Sequence, residues 1–296
     1  MRATKFPSGG PRPRGWKAGT SRVTIGSRPL PVAGSTVQPP HPPLLKYYDG
    51  ETHRSPWVRG IFNRTARDYD RLESIVGLGT GAWYRRLALR GAGLQPQMTV
   101  LDIGTGTGLL ARAAARIVGD AAKITGVDPS PGMLAHAKVP AGVRLLAGSA
   151  EAIPVADSHA DFLCMGYALR HISDLSAAFA EFYRVVRPGG RVCVLEITLP
   201  AGGVSRAILK AWLHGLVPRI ARVVGRAGDA PVLIRYLWDT IATCVPPDDI
   251  LRAFSAAGFV DTERHVELSI FSAYRARKPV AAARIARPAQ EIPHAE

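Results

Sequence analysis

The stretch VLDIGTGTGLL, residues 100–110, limits the fold more than any other part of the chain. A short apolar run ends in an acid, Asp102, and passes through Gly104, Gly106 and Gly108 into an amphipathic segment. A strand therefore turns into a helix through a glycine-rich loop. Glycines there let a small ligand approach the main chain, and the helix N-terminus offers free N–H groups. The units that follow repeat the same order. KITGVD reads as a strand and PGMLAHAK as a helix opened by Pro131. VRLLAGS and DFLCMGY are the third and fourth strands, and RVCVLEIT is the fifth. Between the last two lies DLSAAFAEFYRVVRP, a helix N-capped by Asp174 and ended by Pro188-Gly189-Gly190. Such alternation predicts an α/β fold, a doubly wound parallel sheet covered by helices on both faces.

The flanking segments differ. Residues 57–90 are predicted helical and precede the first strand. After Pro200 a long helical region runs from about Ser205 to Cys244, interrupted by Pro218 and by a turn over Gly225–Asp229. A short helix, PDDILRAFSAAG, and two strands within VDTERHVELSIFSAYRAR close the pattern.

Composition sets the boundaries. The first 43 residues carry nine prolines and many glycines and serines, so they are expected to be a disordered basic tail. The folded domain is expected over 44–278, with a flexible tail over 279–296. Ten lysines and arginines up to Gly60 face only Asp49 and Glu51, which places +8 of the formal +15 charge in the first 60 residues. The basicity is therefore no evidence of a nucleic-acid face on the folded part, and no nucleic-acid partner is expected. No apolar run reaches the roughly 18 residues of a membrane span. The tail lacks the apolar core of a secretory signal, and its prolines forbid a transit-peptide helix. Cys164, Cys193 and Cys244 show no metal-ligand or CxxC spacing, so no metal is expected and the thiols read as buried groups in a reducing, cytoplasmic compartment.

Two cofactors compete for the glycine loop. A second acid, Asp128, ends the second strand and suits a bidentate hydrogen bond to ribose hydroxyls. The dinucleotide fingerprint needs a third glycine where this chain has Leu109, and the acid before the loop would repel a pyrophosphate. S-adenosylmethionine (SAM) carries no phosphate and has a sulfonium and an ammonium, so a nearby carboxylate favours it. Tyr274 and Lys278 have Tyr-x-x-x-Lys spacing but fall at the last strand, away from any cofactor helix.

Longer blocks narrow the reading. FNRTARDYDRLES, VLDIGTGTG, GVDPSPGML, GSAEAIP, GYALRHISDLSAAFAEFYRVVRPGGRVCVLEIT and AAGFVDTERHVELSIFSAYRAR together resemble a class I SAM-dependent methyltransferase, most closely the ubiquinone/menaquinone biosynthesis C-methyltransferase (UbiE/COQ5-type) family. The resemblance covers about residues 42–277. It implies a Rossmann-like sheet of seven strands, the last antiparallel, with helical N-terminal and inserted lid segments. It implies SAM bound by Asp102, Gly104, Gly106, Thr107, Gly108 and Asp128, with Met133, Ser149 and Ala150 at the adenine and Gly166 beside the donor. Ser149 stands where the family has Asn or Asp, Gly166 where serine is common, and His171 where it has Asn.

Arg170 and His171 follow the fourth strand, and ligands of doubly wound sheets bind beyond strand carboxyl ends. C-methylation of a phenolic ring requires a stabilised phenolate. Arg170 supplies a fixed positive charge, and His171, ordinarily titrating near 6.5, could take the proton. Otherwise Arg170 pairs with Asp174 or Glu181 and His171 caps the next helix. Tyr69 is the third catalytic candidate, placed over the donor by the resemblance, with a packing role as the plain alternative. Met133 serves equally as a core side chain.

A hydrophobic acceptor, quinol or phenol, is the implied substrate. LKAWLHGLVPRIARVVGR puts Leu209, Trp212, Leu213, Leu216, Ile220 and Val223 on one stripe, and Lys210, His214, Arg222 and Arg226 on another. That pattern fits peripheral contact at the inner face of a membrane, and equally a lid packed on the sheet. A homodimer is compatible with the sequence. Three alternatives stay open: O- or C-methylation of another hydrophobic metabolite, RNA methylation, and SAM binding without turnover. RNA methylation lacks an Asn/Asp-Pro-Pro-Tyr tetrad.

Overall fold

The computed structural model describes residues 21–24, 39–224 and 228–280, with only the main chain given for 21–24 and residue 224. Its strands are β1 (Ser21–Thr24), β2 (Val100–Ile103), β3 (Ile124–Asp128), β4 (Arg144–Ala147), β5 (Ala160–Gly166), β6 (Val186–Ile197), β7 (Val260–Glu267) and β8 (Phe271–Arg277). They form one sheet in the order β1-β7-β8-β6-β5-β2-β3-β4. The run from β4 to β6 is parallel. The final strand, β8, inserts antiparallel between β6 and β7, as the resemblance implied. Strand order reverses at β2, whose neighbours are β3 and β5, and a crevice opens beyond the carboxyl ends of such strands.

The helices are α1 (Arg54–Thr65), α2 (Tyr69–Val76), α3 (Gly81–Gly91), α4 (Leu109–Val118), α5 (Pro131–Ala135), α6 (Leu175–Val185), α7 (Gly203–Lys210), α8 (Val217–Val224), α9 (Ala230–Thr243) and α10 (Pro247–Ala256). One sheet face packs on α6 and α10, where Phe179 and Phe254 stack at 4.0 Å. The other packs on α3 and α4 through Leu89, Leu110, Ala114 and Val118. Every residue of β2 and β3 is buried, which is why these strands are mainly apolar on both faces rather than alternating. A third cluster joins α1 and α2 to α8 and α9 through Ile61, Leu72, Val217 and Leu233. This helical cap stands over the carboxyl end of the sheet and makes the site.

Three boundaries differ from the expectations. Helix α6 stops at Val185, and Pro188-Gly189-Gly190 belongs to β6, where pairing jumps from Ala160–Val186 to Phe162–Arg191. Between α7 and α8 the chain is π-helical over Ala211–Leu216, because Pro218 has no N–H and its ring crowds the preceding turn. Finally, the tail boundary at residue 43 falls inside packed chain. Pro40 O accepts the Val245 amide (2.7 Å), and buried His41 lies with Nε2 2.9 Å from Arg54 Nη2. Ser21–Thr24 add an antiparallel edge strand to β7. The remainder of the expected tails, 1–20, 25–38 and 281–296, lies outside the described residues. Among the described residues no helix is long and apolar enough to cross a membrane.

Candidate active site

A cleft of about 470 Å³ opens beyond β2, β3 and β5, inside the roughly 300–1,000 Å³ typical of small-molecule sites. Its floor comes from the strand ends and the glycine loop, and its cover from α1 through Ser55, Val58, Arg59 and Phe62. Of the residues expected at the cofactor, Gly104, Gly106, Asp128, Met133, Ser149, Ala150 and Gly166 all line it.

Asp128 is buried at the end of β3. The Gly106 and Ser130 amides donate to its Oδ2 and Oδ1, each at 2.8 Å. A carboxylate has about four lone-pair sites, so each oxygen can still accept a hydroxyl. Burial pushes its pKa up to about 6, against the pull of the two amides. Gly104 has φ +67°, and a Cβ there would sit 2.6 Å from the Ala168 Cβ, so the loop can run against the β5 end only as glycine. Volume, lining and the spare capacity of Asp128 fit SAM.

Asp102, Thr107 and Gly108 do not line the cleft. Asp102 is buried behind the loop, where Thr105 Oγ1 donates to Oδ2 at 2.7 Å, and burial pushes its pKa up to about 7. It fixes the loop rather than facing the ligand. Thr107 Oγ1 donates to Asp70 of α2, which also pairs with Arg112 at 3.2 Å. Gly108 N-caps α4 at φ +84°, with Val139 packed where a Cβ would be.

A second, apolar chamber of about 40 Å³ lies beyond the cleft wall. It is lined by Leu72, Val76, Ile197, Leu233, Leu237 and Phe271, together with Glu73 and Arg170. Tyr69 and Tyr167 line both spaces. Tyr69 opens α2, and burial pushes its phenol up to about 12, so it stays protonated.

Arg170 faces this chamber rather than the cofactor cleft. Its guanidinium is ion-paired with Glu196 on β6, not with Asp174 or Glu181. Asp174 caps α6, and Glu181 pairs with Arg184 at 2.6 Å. His171 does line the cleft. Its ring lies 5.4 Å from Tyr236 and nearly parallel to it, and it meets Phe62 edge-on. Its Nδ1 is 3.3 Å from the Tyr236 hydroxyl, and Nε2 has no partner. Burial, reinforced by Arg170, holds its pKa well below the ordinary value. Burial and Arg170 therefore make the ring a weaker proton acceptor than a free imidazole. Nor does it cap α6, since Asp174 does that.

Sequence reasoning missed three residues. Glu196 was visible as an acid inside an apolar strand. Asn63 accepts Ser130 Oγ (2.6 Å) and the Gly132 amide (2.8 Å), tying α1 to α5, and sat unremarked inside a quoted motif. Tyr167 was read only as the last residue of the fourth strand.

A reversal point in a doubly wound sheet, an antiparallel β8, a glycine loop after β2 and an acid ending β3 over a cleft define a SAM-dependent methyltransferase. Solved structures share this fold. A SAM-dependent methyltransferase from Methanococcus maripaludis has a TM-score of 0.53 at 18% identity, covering 73% of this chain and 93% of that one. A possible histamine N-methyltransferase from Thermotoga maritima has a TM-score of 0.50 at 21% identity, covering 74% and 98%. The pattern of the ubiE/COQ5 methyltransferase family matches residues 49–272, and the chain belongs to that family. It is similar to the ubiquinone/menaquinone biosynthesis C-methyltransferase UbiE of Shewanella halifaxensis, 29% identical over 209 residues, 68% of this chain and 82% of that protein. The Coxiella burnetii UbiE is 26% identical over 215 residues, covering 70% and 85%.

Proposed function

We propose that the protein methylates a ring carbon of a prenylated quinol or phenol in quinone biosynthesis. The observation that carries this reading is the apolar chamber beside the donor cleft, separated from it by Tyr69 and Tyr167 and facing Arg170. The names of the curated relatives support the substrate class.

Bound SAM supplies an electrophilic methyl on a sulfonium. Asp128 holds the ribose hydroxyls, and the loop at Gly104 and Gly106 admits the methionine part against the main chain. Met133, Ser149 and Ala150 border the adenine. The acceptor ring sits against Tyr69, with its oxygen toward Arg170. That guanidinium favours the phenolate, although Glu196 shares its charge. His171 offers its unpartnered Nε2 to the acceptor hydroxyl or a water, as donor or acceptor according to which ring nitrogen carries the proton, and does not act as a base of ordinary strength.

Peripheral contact with an anionic membrane fits the same reading. From Ile197 to Gly228 the chain has no acid and carries Arg206, Lys210, Arg219, Arg222 and Arg226. The expected stripe splits: Leu209 and Leu213 turn inward onto Trp238 and Ile241, whereas Leu216 (46% exposed) and Val223 (86%) face out, as do Val204 (76%) and Ile208 (66%) outside the stripe. A segment that combines basic residues with outward-facing apolar ones suits an anionic lipid surface.

The test is methyl transfer from labelled SAM to a panel of quinols, phenols and RNA. Label on a ring carbon of a quinol or phenol is expected. Label on oxygen, or on RNA alone, would replace this reading. Co-sedimentation with anionic vesicles, lost at high salt, checks the membrane contact.

A further inference from the structure

Tyr167 follows β5 with φ +60°, a left-handed backbone that aromatic residues seldom adopt. Its amide donates to Leu195 O at 2.8 Å, which holds it to β6 at the carboxyl end of β5. The Arg85 guanidinium lies 5.6 Å from the ring centroid, and Arg85 is itself held by Glu73 at 2.5 Å. The ring is thus held by two helices and an ion pair while its backbone is strained. Strain of this kind persists where the surroundings over-determine it, and it clusters at ligand sites.

The hydroxyl has no partner. Among the described residues three buried phenols lack one, those of Tyr84, Tyr167 and Tyr274, and only Tyr167 lines the cleft or the chamber. Arg170 Nε is the other unpartnered polar atom among the residues that line the chamber. A buried unpaired polar atom is costly, so both await a ligand atom. Burial raises the Tyr167 phenol above its ordinary range, which keeps its proton in place. The free atoms are therefore two N–H or O–H donors in a largely apolar space whose one acid, Glu73, is already paired with Arg85. Two donors match an oxygen lone pair, and match an anionic oxygen best.

We propose that Tyr167 is a specificity-determining residue whose hydroxyl, together with Arg170 Nε, donates a hydrogen bond to a free ring oxygen of the acceptor. This rests on the phenolic or quinol acceptor proposed above. At about 40 Å³ the chamber takes a water or two, so seating a ring requires its wall to move.

The test uses the full chain saturated with S-adenosylhomocysteine. Binding of 1,4-dihydroxynaphthalene and of its dimethoxy counterpart is measured by calorimetry for the wild type and for Tyr167→Phe. The wild type should prefer the dihydroxy compound, and Y167F should lose about tenfold or more of that preference, the size of one hydrogen bond to a charged oxygen. The melting temperature should hold or rise, because the variant deletes an unpartnered hydroxyl. A Y167F chain with undiminished preference overturns the inference alone. So does a wild type that binds both compounds equally, a result that needs no variant to fold. A wild type that binds neither overturns the phenolic acceptor reading, and this inference with it.

Discussion

Arg170 and Glu196 form a buried ion pair between the turn after β5 and the end of β6, with side chains 3% and 2% exposed. Burial raises the Glu196 pKa, and Arg170 pulls it back. Removing one partner leaves the other charge uncompensated in the interior. Glu196→Gln should therefore cost about 3–5 kcal/mol of stability, read by chemical denaturation. Arg170→Ala should in addition lower turnover by about a hundredfold or more, on the order of one lost electrostatic contact to developing charge. Neither residue lines the cofactor cleft, so SAM affinity should stay unchanged in both. Normal turnover of Arg170→Ala on its acceptor would remove Arg170 from the mechanism.

Asp128 sets the SAM affinity and its pH dependence. Asp128→Ala should weaken binding by about 1–3 kcal/mol, the loss of charge-assisted hydrogen bonds. Because the pKa of the free protein is raised to about 6, the accepting carboxylate is present above that value and lost below it. Wild-type affinity should fall as the pH drops through 6, while Asp128→Asn binds weakly and without that inflection. Calorimetry from pH 8 to pH 5 decides it.

His171 should contribute no inflection near pH 6.5 to the pH–rate profile, since burial and Arg170 keep its pKa well below that. His171→Asn should leave the shape of the profile intact and change only its height. A wild-type inflection near 6.5 that vanishes in this variant would restore His171 as a titrating base.

His41 anchors the N-terminal strap, so two truncations should differ. Deletion through residue 38 keeps Pro40 and His41, whereas deletion through residue 43 removes the bond to Val245 and the contact with Arg54. The second should be less stable by about 1.5–3 kcal/mol, the range for a hydrogen bond to a charged group. Equal melting temperatures would show that the strap carries no stability.

The same histidine predicts a pH effect. Burial and Arg54 lower its pKa from 6.5 to about 4. The unfolded chain takes up that proton first, so stability is lost as pH falls from 6.5 toward 4, by up to about 3 kcal/mol. Asp102 and Asp128 work in the opposite direction, because their raised pKa values let the folded state bind protons first. The His41 contribution therefore appears as a difference: wild type minus His41→Gln should decline over that window in urea titrations.

Local chemistry wrote much of this fold into the sequence. The strands β2, β3 and β5 are mainly apolar without strict alternation because both sheet faces are covered. Gly104 and Gly108 mark a backbone that no side chain tolerates, and Asp128 marks the end of its strand. These signals need only residues near each other in the chain, so the parallel sheet, the cofactor loop and its acid were legible directly. The ion pair of Arg170 was not, because its partner is 26 residues away and adjacent only through the pairing of β5 with β6. Asn63 meets Ser130 across 67 residues, and His41 meets Arg54 only where the strap folds back. The neutral state of His171 and the unpartnered hydroxyl of Tyr167 depend on desolvation, which is a property of everything packed around a group and is absent from any stretch of sequence. Sequence thus determined the elements and the donor half of the site. Tertiary packing alone decided which charges are neutralised, which proton stays on, and which donors are left without a partner beside the apolar chamber.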